Sequence, residues 1–113
     1  MLLYSHTSKV FIERVREEIR SLFFLEISPH LPLTFRRSRI LYKNFQFPLN
    51  LVVFEDNSRL GYFDYRHFEI GISKKLMYLT FDHVLKNVIR HELLHYIAYL
   101  LHGPDLGHGE EFK

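Results

Sequence analysis

The chain has 113 residues, is 47% hydrophobic and 16% aromatic, and carries 15 basic against 13 acidic side chains for a formal net charge of +2. This is enough apolar material for the core of one domain, and too small a charge to mark a nucleic-acid binder by itself. It has no cysteine, which excludes disulfides and Cys-ligated metal sites, and no apolar run near the roughly 20 residues a membrane span needs. The short apolar start leads straight into a charged amphipathic segment, unlike a signal peptide, and a cytoplasmic protein is expected.

Residues Ser8 to Leu25 predict an amphipathic helix. Phe11, Val15, Ile19, Leu22 and Phe23 recur at helical spacing, while Glu13, Arg14, Arg16, Glu17, Glu18 and Arg20 cover the other side. Thr7 or Ser8 is the expected cap, and Arg14 and Glu18 an expected pair on the solvated face. Pro29 and Pro32 then force extended backbone. Beyond them Arg36, Arg37, Arg39 and Lys43 form a basic cluster interleaved with Phe35, Ile40, Tyr42 and Phe45. Such a run is usually the exposed face of a strand or loop. Its functional reading is weak contact with DNA, through backbone charge and base stacking.

Leu49 to Glu55 reads as a buried strand, Asp56 to Ser58 as a turn, and Leu60 to Asp64 and Phe68 to Ser73 as two more strands joined by a turn at Asp64 to His67. Phe68, Ile70 and Ile72 alternate with His67, Glu69 and Gly71, as on a half-buried strand. Ser73 is the expected cap of a short helical turn over 74–78, and Thr80 that of a long helix from Phe81 to about Leu101 or His102. Gly103 and Pro104 end that helix. Its apolar residues nearly surround it, which predicts a central, buried helix.

Within it stands His91-Glu92-Leu93-Leu94-His95, an HExxH sequence. Four residues make about one helical turn, so both imidazoles lie on one face and can reach one Zn²⁺. Glu92 can then act on the zinc-bound water, taking its proton. The plainer alternative is two partly buried histidines with ordinary hydrogen-bond partners.

A catalytic zinc usually takes three protein ligands. His102 lies about 10 Å along the helix axis from His95, too far to share an ion, and reads as a helix C-terminal cation favoured by the dipole. His108 sits between Gly107 and Gly109, which let the segment fold back toward the two rings. The spacing favours His108. A glycine and a third histidine three and six residues after His95 would mark a metzincin, but Ala98 and Leu101 stand there.

HELLH followed by Gly107-His108-Gly109-Glu110-Glu111-Phe112 resembles the SprT-like, Spartan-type zinc metallopeptidases. The upstream order of a helix, a small sheet with a glycine at Gly61 and a strand before the active helix is similar too. The resemblance implies a single SprT-like zinc metallopeptidase domain over 1–113, with His91, His95 and His108 as zinc ligands and Glu92 as general base and acid. It implies hydrolysis of peptide bonds in a protein or peptide substrate, including proteins associated with DNA. Family members generally continue past the HGxxF as a further helix, so a C-terminally truncated or minimal form is expected.

The expected fold is α+β and zincin-like: a small, mostly antiparallel sheet packed on a central HExxH helix, with an N-terminal amphipathic helix. Phe68 to Ile72 is the candidate sheet edge for an extended substrate, and the oxyanion-stabilising donor stays open among Tyr62, Tyr65 and His67. Two rival readings remain. One is a non-catalytic, zinc-stabilised DNA- or protein-binding module using Arg36 to Lys43; the other is a metal-free core in which His91 and His95 are merely packed.

Overall fold

Apolar residues every third or fourth position along the first segment give helix α1, Tyr4–Leu22, whose stripe Phe11, Val15 and Ile19 is buried. The computed structural model describes residues 4–55 and 58–103. α1 begins one turn before the expected Thr7 or Ser8 cap. It ends in a π-helical turn, Phe23–Ile27, closed by the Ser28 N–H donating to the Phe23 carbonyl at 2.8 Å. The wider turn keeps Phe23 and Ile27 inside and leaves Phe24 and Leu25 exposed. Arg14 bonds Asp82 rather than serving only its own helix, so the two helices are tied by charge. A second tie joins Glu26 to Arg90.

Three short strands follow as an antiparallel meander: β1 Leu33–Arg36, β2 Arg39–Tyr42 and β3 Phe45–Pro48. Both connections are two residues long, and Arg37, Ser38 and Lys43 take positive φ of 53°, 61° and 57°. Positions of positive φ in such turns usually carry Gly, Asn or Asp, and Arg37, Ser38 and Lys43 are none of these.

A second sheet contains β4 Asn50–Phe54, β5 Gly61–Asp64 and β6 Glu69–Ser73 in the order β4-β6-β5. β6 runs parallel to β4 and antiparallel to β5. The expected single small sheet is therefore two sheets, with three antiparallel pairings and one parallel among the described residues. β6 is central and covered on both faces, since the Tyr62 ring lies over Gly71, where a side chain would collide with it. Asp64 closes the β5–β6 turn by accepting from the Arg66 N–H at 2.9 Å and pairing with His67.

Ser73 caps a 3₁₀ turn, Lys74–Met77, by accepting from the Lys75 N–H. A second 3₁₀ turn, Leu79–Phe81, contains Thr80, so Thr80 does not cap the next helix. That helix, α2, spans Asp82–His102 and stops at Gly103, which takes φ +82° and donates its N–H to the Tyr99 carbonyl at 2.7 Å. α2 buries Leu85, Ile89, Leu93, Tyr96 and Ile97 against α1 and the second sheet. It is not buried all round: Leu94 is 52% exposed, and Lys86, Arg90 and His91 also face outward. Tyr96 is fully buried, stacks on Phe63 at 4.8 Å and donates its hydroxyl to the Pro48 carbonyl, locking α2 to the end of β3. No helix among the described residues is long and apolar enough to cross a membrane.

Candidate metal centre

The regular backbone of α2 carries the chemistry. His91 and His95 lie one turn apart, and their Nε2 atoms stand 3.0 Å from one another with the rings nearly perpendicular at 86°. Two nitrogens each about 2.0–2.1 Å from one tetrahedral ion would be about 3.3–3.4 Å apart. The observed pair is a few tenths of an ångström closer, the length of a hydrogen bond in which one ring donates and the other accepts. Only a small rotation separates that bond from shared ligation. The ligating atoms of His91, Glu92 and His95 all lie within 4.8 Å of one another, a His-Glu-His group that can hold a metal ion.

The electrostatics suit the same use. Burial, with His91 alongside, depresses the His95 pKa, which favours the neutral imidazole a metal needs. Glu92 is 8% exposed. Burial raises its pKa, against the opposing pull of His91 and Arg59, so this carboxylate accepts a proton more readily than a solvated one.

β5 reaches the site through Gly61. A β-carbon there would meet Val88 Cγ1 at 2.5 Å and Glu92 Cγ at 3.3 Å, so only glycine lets the strand lie this close to the helix. A groove of about 570 Å³ opens between the start of β5 and the first half of α2, bordered by Arg59, Leu60, Gly61, Val84, Val88, His91 and Glu92. Its trace in the sequence is the i, i+4, i+7 stripe Val84, Val88 and His91, which reads equally well as part of the core. Arg59 had no signal in the sequence.

The other candidates fall as follows. His108 lies outside the described residues. His102 is the exposed last residue of α2, as the helix-end reading requires. Phe68 to Ile72 is not a sheet edge: β6 pairs on both sides, and among the described residues β5, packed on α2, is an edge strand. Tyr62 lies across the sheet and donates to Glu69, Tyr65 packs on Tyr99, and His67 pairs with Asp64. None of the three borders the groove at His91 and Glu92. Arg36, Arg37 and Arg39 flank one hairpin turn and Lys43 sits at the opposite end of β2, all exposed, so the basic cluster is split along the strand.

Against known proteins, a family model described as the SprT-like family matches residues 26–113. No curated protein and no solved structure matches the chain.

Proposed function

The chain belongs to the SprT-like family, and from that premise we propose that it is a zinc-dependent peptidase of zincin type, with Glu92 as general base and acid. The observation that carries this reading is the convergence of two imidazoles and a buried, proton-accepting carboxylate on one turn of α2, beside an open groove. His91 and His95 would hold the ion, and His108 is the proposed third ligand on the resemblance of its Gly-His-Gly segment. The ion supplies Lewis acidity, which makes water a nucleophile near neutral pH and polarises a carbonyl.

The chain's own residues do the rest. Glu92 takes the proton of the attacking water and delivers it to the leaving amine. The packing of α2 on α1 and the second sheet holds the imidazoles in place, and the edge strand β5 can pair with an extended peptide. An unfolded protein substrate tests the proposal: cleavage should appear with added zinc, vanish on chelation and return when zinc is restored. Intact substrate under all three conditions would refute it.

A second reading, a zinc-stabilised DNA-binding module, is favoured by the exposed Arg36, Arg37 and Arg39 around one turn, with Lys43 farther along. It requires salt-dependent DNA affinity that Glu92→Gln leaves unchanged.

A further inference from the structure

The groove beside His91 and Glu92 is apolar where it meets them. Val88 and Val84 lie one and two turns before His91 along its stripe, and Leu60, 38% exposed, stands opposite. Gly61 contributes only backbone. The polar side chains Ser58, Arg59 and Asn87 complete the border, and the Arg59 guanidinium is drawn over the Tyr62 and Phe54 rings at 4.8 and 5.6 Å. From Val84 to His91 the helix rises about 10 Å, the span of roughly three residues of extended peptide.

From this we infer that the groove is the subsite for an aliphatic or aromatic side chain next to the scissile bond, so that the substrates are peptides with Leu, Ile, Val, Met or Phe at that position. The inference rests on the peptidase reading and adds the substrate class. Continuity with His91 and Glu92 selects the occupant: a chain whose carbonyl is at the two imidazoles must send its neighbouring side chain along Val88 or away from the protein. Half-exposed apolar walls favour a side chain that removes them from water.

The test has two readouts. An unfolded protein is digested with the zinc-supplied chain and the cut sites are mapped by mass spectrometry, for wild type, Val84→Phe and Leu60→Asp. Separately, metal-free protein is titrated with a leucine-containing peptide and its glycine counterpart, following the methyl resonances of Val84 and Val88. One or two methylenes in an apolar pocket change selectivity about tenfold or more. Wild-type cuts should therefore favour large apolar residues over glycine by about that factor, and either variant should flatten the preference. Only the leucine peptide should move the two valines.

Cleavage without apolar preference, or a preference unmoved by both variants, would overturn the subsite and leave the peptidase reading standing. No cleavage, with valine shifts from the leucine peptide alone, would refute the peptidase reading and retain the groove as an apolar side-chain site. The absence of both cleavage and valine shifts would overturn the inference.

Discussion

Gly61 and Glu92 meet across the β5–α2 interface so closely that a β-carbon on Gly61 would stand 3.3 Å from Glu92 Cγ, with Val88 Cγ1 nearer still at 2.5 Å. The strand and the Glu92 side chain are positioned by the same missing side chain. Gly61→Ala must push β5 from the helix or displace Val88. Overpacking of this kind destabilises by about 1–3 kcal/mol, more than alanine recovers through the unfolded chain. A thermal melt should show a midpoint several degrees lower, together with reduced peptide cleavage. An unchanged or higher midpoint would show that the interface has room to spare.

His95→Ala removes one of the two facing imidazoles and leaves His91 alone on its turn. Bound zinc, measured by elemental analysis after dialysis, should fall from one ion per chain in wild type to a small fraction in the variant. Chelation should lower the melting temperature of wild type and leave the variant unmoved. Equal zinc content in both proteins would place the ion elsewhere.

Tyr96→Phe deletes the hydroxyl that a fully buried ring donates to the Pro48 carbonyl. The ring stack on Phe63 survives and the carbonyl loses its donor, at a loss of about 1–2 kcal/mol. Urea denaturation should show the midpoint shifted with the slope unchanged. A variant as stable as wild type would mean that water replaces the hydroxyl.

The alkaline limit of stability should involve Tyr62. Burial first, then its hydrogen bond to Glu69, pushes the Tyr62 phenol up to about 12 from the usual 10. The folded state holds this proton more tightly than the unfolded chain, so the contribution is complete below pH about 10 and fades as pH rises toward 12. Tyr62→Phe, which cannot ionise, should flatten the loss of stability across that window. A variant curve parallel to wild type from pH 9 to 12 would count against this origin.

The parts legible in the sequence are those with local causes. The α1 stripe, the Ser73 cap, the Asp64 turn, the stop at Gly103 and the one-turn spacing of His91 and His95 each follow from a few neighbouring residues. What stayed hidden depended on distant packing. The positive-φ turns at Arg37, Ser38 and Lys43 lack the glycine that would announce them, and the central place of β6 arises from a parallel pairing with β4 that no short pattern encodes. The groove likewise exists only because Gly61 and Val88, far apart in the chain, come into contact. At the site itself, the sequence brought His91, Glu92 and His95 together on chemical grounds, and the fold adds the burial that raises the Glu92 pKa and lowers that of His95.

Glu92→Gln separates acid–base chemistry from metal binding, because the amide keeps the shape of the side chain and cannot take a proton. Zinc content and cleavage of an unfolded protein are measured on the same preparations of wild type and variant. The account requires equal zinc in both, with cleavage reduced by about 10²–10⁴-fold in the variant, the contribution of a positioned acid–base group. Undiminished cleavage by zinc-loaded Glu92→Gln would contradict it.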